Sequence, residues 1–456
     1  MVSGSELAMG ETPAGKAMNL QADVNALSVP ASRVRYRVLG FACILAVITY
    51  IQRLGLIRDS GPELKKTLGL NDAQMGDIGA AFLVAYGICQ VPGGWLADRL
   101  GGRHLITALV LGWSLLVGIV GLAVVMPPTA VFQFLVLVVF CFGLLQAGIF
   151  PAWSRVVADW MPVRDRASAQ GTIWTFSRLG GAVVAFVFLG LLALLGGWPR
   201  VFWVIASLGI AWAFVFWPWF RNRPAEMSRV NASELARIAA GRDTTARRPT
   251  AVPWHQMLTS VSVWAICLMY GFIGFAGNFF TATLPRYLHD HRHLSDTETA
   301  WLSSLPLAFS MVACILGGVL SDWMIRRTGN RKWGRRLGGS IGLAFAGLTL
   351  LASAWVPNSS LWLLAILLST SFFCNDLSMG PAWASCADIA ERHAGSLSGA
   401  MNMTGAFIGA LGRSLEGRLL DRHAYEVMFV IFACSYGIAA LCWLGVDVTK
   451  RLNPRG

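Results

Sequence analysis

The chain has 456 residues, 55% of them hydrophobic and 13% charged, with 48 glycines, 19 tryptophans and a formal charge of +13. A soluble domain of this length needs far more charged surface, so the composition excludes one. The basic residues are spread over short loops, which speaks against nucleic-acid binding. The nine cysteines stand in apolar runs without a C-x-x-C pair, which implies neither a disulfide framework nor a metal site.

Residues 1–35 are rich in Gly, Ala, Ser and Pro, lack a signal-peptide core and are expected to be a disordered tail. Beyond them, apolar runs long enough to cross a hydrocarbon core of about 30 Å as a helix recur along the chain. They fall at 37–60, 74–97, 104–125, 129–157, 168–195, 199–220, 257–284, 298–321, 336–356, 360–385, 396–419 and 426–447. An all-α integral membrane protein of twelve spans is expected, with six-helix bundles at 36–220 and 256–448. A polar cytoplasmic linker, 221–255, joins them, and 449–456 is a tail. With the N-terminus inside, about 25 Lys and Arg fall in cytoplasmic segments and about 7 outside, a positive-inside bias that places both termini in the cytoplasm.

In the first span, Arg53 of ITYIQRLGLI keeps its charge at any ordinary pH and would cost several kcal/mol if left unpaired in hydrocarbon. Gln52 precedes it, and Arg58 with Asp59 reads as an interfacial pair nearer the outer end. After the second span, GGWLADRLGGRH carries Gly94, Asp98, Arg99, Gly101 and Arg103. Short residues there let helix ends approach, and Asp98 with neighbouring arginines can form charge-assisted bonds. The fourth span contains QAGIFPAW, with Gln146 and Trp153, and the fifth sets Arg178 within FSRLGGAVVAF.

The second half repeats the first. GGVLSDWMIRRTGNR places Asp322 at an offset of 224 from Asp98, accompanied by Gly318 and Arg326, and DLSMGPAW sets Asp376 opposite Gln146 and Trp383 opposite Trp153. RLGGA at 178–182 lies opposite AFIGA at 406–410. Asn278, Thr281, Trp153, Trp383 and Asn402 are candidate cavity liners, and Arg413 has Glu416 as a local partner at i+3. The three imidazoles of HDHRH, 289–293, read as a solvated loop, and Asp388 beside Glu391 and Arg392 as a loop-side charge.

Parallel six-helix halves with a shared midplane site are the architecture of a rocker-type carrier. With Gly94, Leu96, Asp98, Arg99, Gly101 and Arg103 forming G-x-L-A-D-R-x-G-x-R, the chain resembles the major facilitator superfamily over 36–448. Four segments resemble its anion:cation symporters, the group holding sialin, vesicular glutamate carriers and bacterial hexuronate, galactonate, tartrate and phthalate permeases. They are AQMGDIGAAFLVAYGICQVPGGWLADRLG at 73–101, Phe150-Pro151-Ala152, LPRYL at 284–288 and WFRNRPAEMSRVNASEL at 219–235.

The resemblance implies the major facilitator fold, a conformational latch built from the two repeated loops, and a substrate-binding arginine in the first helix, here Arg53. Proton-coupled sugar-acid members carry an acid just before that arginine and a glutamate in the fourth helix. This chain has Gln52 and Gln146, which hydrogen-bond without titrating. Asp376 then has three open readings: a titrating proton carrier, a static counter-ion of Arg53 or Arg178, or a hydrogen-bonded structural acid.

The expected function is secondary transport of a small organic anion, a carboxylate or sugar acid, across the plasma membrane by alternating access, with a proton as candidate coupling ion. A facilitator or anion exchanger, or a drug or cation exporter, is the alternative. Substrate contacts are expected from Arg53, Gln52, Gln146, Arg178, Asn278, Asp376 and Asn402. No H-E-x-x-H, G-x-x-x-x-G-K-[ST] or nucleophile elbow is present, so no enzyme, cofactor or metal site is expected. The expected partners are the anion, a proton and membrane lipid, with the chain acting as a monomer.

Overall fold

The computed structural model describes residues 29–240, 252–357, 359–422 and 424–452. Residues 1–28 of the expected tail, 241–251 of the linker, 453–456 and the side chain of Arg58 lie outside the described residues.

Among the described residues, twelve long helical units follow one another: α1 Val34–Leu54, α2 Asp72–Ile88 with Gln90–Leu100, α3 Gly102–Val120, α4 Pro128–Ala147 with Ile149–Trp160, α5 Arg166–Leu195 and α6 Trp198–Trp219 form the first half. The second is α7 Val261–Asn278, α8 Asp296–Thr328, α9 Arg331–Ser353, α10 Leu361–Asp376 with Met379–Ala390, α11 Ala394–Asp421 and α12 Tyr425–Gly445. Hydropathy marks the crossing of hydrocarbon and not the whole helix. Thus α8 runs past the expected end at 321, and α9 starts before the expected 336.

The repeat reaches into local structure. Asn71 and Gln74 cap the start of α2 reciprocally, and Ser295 and Glu298 do the same for α8, at the offset of 224 that relates Asp98 to Asp322. The π turns Gly55–Asp59 and Phe279–Thr283, which end α1 and α7, keep the same offset. In α4 and α10 the break has one cause: Pro151 and Pro381 have no N–H to offer the carbonyls of Ala147 and Leu377.

Between apolar helices in lipid, close packing replaces the hydrophobic effect, and small residues sit where backbones meet. Gly180 of α5 faces Val47 of α1, and Gly274 of α7 faces Gly405 of α11; Gly143 of α4 meets Phe82 of α2, and Gly317 of α8 meets Leu377 of α10. Large apolar side chains such as Phe186, Leu194, Phe214, Trp301, Trp362 and Leu441 cover the outer faces, as an exterior against hydrocarbon requires. The two halves meet through α5 with α8 and α2 with α11.

Both ends of the described chain leave the bundle on one side, the termini end. There Leu452 donates to the Ile389 carbonyl at 3.0 Å and Arg451 pairs with Glu391 at 2.9 Å. The linker is ordered where described: a turn at Pro224–Glu226 precedes a helix at Ala232–Ala239. Its buried Glu234 accepts from the backbone N–H groups of Val34 and Arg35 at 2.9 and 3.1 Å, from the Arg35 guanidinium at 3.2 Å and from the Ser32 hydroxyl. Ser32–Arg35, assigned to the tail from sequence, is therefore docked, because Glu234 satisfies the orphan donors at the start of α1.

Burial pushes the Glu234 carboxyl up, but these donors outweigh it and hold the group below its ordinary value. Burial likewise opposes ionisation of Asp447, yet hydrogen bonds from Thr449 and Lys332 bring it down to about 2. A depressed carboxyl stabilises the fold above its unfolded value of about 4, and that contribution is lost as pH falls through the folded value. Thermal unfolding of the protein in detergent should therefore show Tm falling below about pH 4. Glu234→Gln should lower stability at pH 7 by about 1–3 kcal/mol, and an unchanged Tm would refute the docking role.

Candidate functional site

Arg53 stands in the last turn of α1, just before the π turn. Its Nε donates to Gln146 Oε1 at 2.7 Å, and Gln146 Nε2 reaches the Thr49 carbonyl at 3.4 Å. The guanidinium lies 4.7 Å from the ring centre of Tyr86, 5.2 Å from Tyr50 and 5.5 Å from Phe82. Its Nη2 is buried without a hydrogen-bond partner, and among the described residues no carboxylate lies within 4 Å. Amide and ring faces soften this charge without neutralising it.

Gln52 does not share that space. One residue along a helix turns the side chain by about 100°, and Gln52 points to α3 and α6, donating to the Ile205 carbonyl at 2.9 Å and accepting from Trp113 Nε1 at 2.6 Å. The expectation of a substrate contact there is corrected: Gln52 is a buried packing amide.

Arg178 of α5 and Asp376 of α10 meet across the halves. Nε and Nη2 donate to the two carboxylate oxygens at 3.0 and 3.1 Å, with Cys314 Sγ at 3.7 Å and Asn375 Nδ2 at 2.8 Å completing the acid's surroundings. Toward the termini end, an aromatic floor closes the cleft. Phe150 stacks on Trp174 at 4.8 Å, and Trp383 lies 5.5 Å from Trp174 and 6.0 Å from Phe150. Trp383 Nε1 donates to the Tyr270 hydroxyl at 3.3 Å. Beside the floor, Asn402 Nδ2 bridges to Gln90 Oε1 at 2.9 Å and to the Tyr86 hydroxyl at 3.3 Å.

Between floor and termini end the halves are locked by two matching caps. Asp98, at the end of α2, accepts from the N–H groups of Gly395 and Ser396 at 2.9 and 2.7 Å and from the Ser396 hydroxyl at 2.6 Å. Asp322, at the same place in α8, accepts from Ser168 N–H at 2.6 Å and its hydroxyl at 2.7 Å. Each acid thus caps the first turn of a helix in the other half. A Cβ on Gly94 would run into the Gly395 carbonyl, and one on Gly318 into that of Ala167, so both positions admit no side chain. Among the described residues, the hydrogen bonds between the halves lie from the Arg178–Asp376 level to the termini end.

The loop arginines divide. Arg326 crosses to the Arg164 carbonyl at 3.2 Å and Asp165 at 3.3 Å. Arg103 stays in its own half, donating to the Trp217 carbonyl at 2.9 Å, and Arg99 lies over Trp95. Gly101 adopts φ +75° against the Asn222 amide. Sequence reasoning missed Arg166, Arg335 and the true place of Asp388. That acid is no loop-side charge but is buried between Arg166 at 2.8 Å and Arg335 at 2.9 Å, and Arg335 also holds Asp322 at 2.7 Å. The capped turns were findable, since Ala167-Ser168 and Gly395-Ser396 stand at a fixed offset of 228, each followed by a glycine three residues on.

Other candidates settle elsewhere. Asn278 Nδ2 donates to the carbonyls of Gly274 and Gly409, both at 2.9 Å, and its Oδ1 accepts from Arg413 Nε at 3.1 Å, so it ties α7 to α11. Arg413 makes no ion pair within 4 Å with Glu416, contrary to the i+3 expectation. Thr281 donates to the Asn278 carbonyl within the π turn. Trp153 is packed edge-on against Trp212 and Phe216 inside the first half, away from the cleft. The stretch expected as a loop begins inside a π turn, Tyr287–His291, where His289 bonds Asp290 and His291 lies against Tyr425.

The sequence pattern described as Major Facilitator Superfamily matches residues 38–413. A probable sulfoacetate transporter of Cupriavidus necator is 30% identical, over 91% of this chain and 94% of that protein. A probable galactarate/D-glucarate transporter of Escherichia coli is 29% identical, over 85% and 88%. Among solved structures, a proton:xylose symporter bound to 6-bromo-6-deoxy-D-glucose superposes with a TM-score of 0.66 at 15% identity, covering 89% of this chain and 94% of that one. The Escherichia coli fucose:proton symporter gives 0.65 at 13%, over 90% and 98%. At such identities these two structures speak for the fold.

A carboxylate at a helix N-terminus contributes about 0.3–2 kcal/mol, enough to bias a closure without welding it. Asp98→Asn should raise deuterium exchange at Gly395 and Ser396, and Asp322→Asn at Ala167 and Ser168, by about tenfold. Equal exchange in wild type and variants would show that the caps do not hold this end shut.

Proposed function

Because the chain belongs to the Major Facilitator Superfamily, we propose that it is a secondary transporter of a small organic anion, a carboxylate or sugar acid, with Arg53 as the anchor. One observation carries this reading: a guanidinium whose Nη2 is buried without a hydrogen-bond partner and which, among the described residues, has no carboxylate within 4 Å. A permanent cation in that setting is completed by an anion that comes and goes. The relatives' sulfoacetate and galactarate or glucarate are anions of this kind.

Gln146 sets the Arg53 fork from behind, and Tyr86 and Asn402 border the same space. The positive-inside bias puts the termini end, with its two caps, in the cytoplasm of the plasma membrane, so the described conformation opens outward. Substrate then enters from outside, and exchange of the caps for contacts at the other end exposes the site inward. The coupling ion in this reading is a proton. Gln52 and Gln146 do not titrate, and in this reading the carrier is Asp376, the buried acid that meets Arg178 between the halves. The chain works as a monomer whose apolar belt contacts lipid.

Uptake of labelled sulfoacetate and galactarate into proteoliposomes tests this. Wild type should accumulate one of them under an inward proton gradient, and folded Arg53→Gln should lose affinity by about tenfold or more. Unchanged affinity in that variant, or preference for organic cations over every carboxylate, rejects the reading. Gradient-driven accumulation that persists in Asp376→Asn removes the aspartate from it.

A further inference from the structure

The Arg178–Asp376 pair is unevenly exposed. The Asp376 side chain is fully shielded, while Arg178 keeps 17% of its side-chain surface accessible. Only Nε and Nη2 of Arg178 are engaged with the acid. Arg53 stands on the helix packed against α5, also with a nitrogen lacking a partner, and Tyr50 lies within electrostatic range of both guanidiniums. The two cations therefore belong to one wall, α1 and α5, and the carboxylate to the wall opposite.

We infer that the transported molecule carries two anionic groups, one held by Arg53 and one by Arg178, and that the second group displaces Asp376, which takes a proton from the cleft. This rests on the organic-anion reading of the same site. A guanidinium offers five donors in a planar fork, and a carboxylate or sulfonate arriving through the accessible edge of Arg178 competes for the donors that Asp376 uses.

Displacement leaves Asp376 buried with no other cation facing it among the described residues. The charged and titratable groups facing it are Arg178 from α5, Cys314 from α8, Tyr50 from α1 and Tyr436 from α12. None but Arg178 is a cation, so the freed carboxylate is neutralised by forming an O–H bond with a proton from water. The neighbouring amide of Asn375, whose Nδ2 already donates to Asp376 at 2.8 Å, keeps its Oδ1 buried without a partner. The same event breaks the one cross-half ion pair, among the described residues, on the cleft side of the aromatic floor. A substrate with a single anionic group fills Arg53 and leaves this bridge intact.

Calorimetry of the purified full chain tests the inference with matched probes: D-glucarate against D-gluconate, which has one carboxylate fewer, and sulfoacetate against acetate. Titrations at pH 7 in two buffers of different ionisation enthalpy count the protons. The dianions should bind at least about tenfold tighter than their partners and take up close to one proton, with none for the monoanions. Asp376→Asn should abolish proton uptake. Should its unpaired Arg178 prevent folding, the double variant Arg178→Gln, Asp376→Asn removes both charges and should bring the glucarate-to-gluconate affinity ratio close to one.

Equal affinity for glucarate and gluconate in wild type, with Arg53→Gln weakening both, overturns this inference and leaves the organic-anion reading standing. Proton uptake that survives in Asp376→Asn also overturns it. Failure of all four probes to bind removes the reading and the inference together.

Discussion

A guanidinium shut away from water costs several kcal/mol unless an anion faces it, and this protein answers that cost in three different degrees. Arg335 is answered fully, by Asp322 and Asp388 with both partners buried. Arg178 is answered from the other half of the molecule by Asp376. Arg53 receives only an amide oxygen and ring faces. The grading follows the axis of the bundle, from a complete network near the termini end to an incomplete one at the cleft. Removal of one partner is costly where the network is complete, so that end behaves as a unit.

The caps add a constraint of symmetry. Asp98 and Asp322 do the same thing in opposite directions, each from its own half to a helix start in the other. Because each contact is modest, the closed end depends on several acting together, and close backbone approach at Gly94 and Gly318 is what brings the acids within reach. A pair of weak, matched contacts suits a closure that must open on every cycle.

Much of this architecture was legible in the sequence, since hydrophobic runs and the offset of 224 are local signals: the spans, the halves and the two capping acids follow from them. What the sequence hid was direction. Gln52 and Arg53 are neighbours whose side chains serve different helices. Trp153 and Trp383 share a repeated motif, yet one lies in a half's core and the other in the floor between halves. Asp388 sits among polar residues that suggest a loop, but two arginines distant in sequence converge on it. Rotation about a helix and pairing across more than 50 residues are set by tertiary packing, which no local pattern encodes.

With amides at 52 and 146, the acid that faces the cleft arginines is Asp376, and its partner lies in the other half. An acid beside its arginine in the same half can exchange a proton without altering how the halves meet. Asp376 answers an arginine of the opposite half, so any change in its charge is at once a change in the contact between halves. In the proposed mechanism, protonation and unlocking need no wire between separate sites, because one ion pair carries both. Gln52 and Gln146 both lie in the first half, whereas the Arg178–Asp376 pair spans the seam that must part.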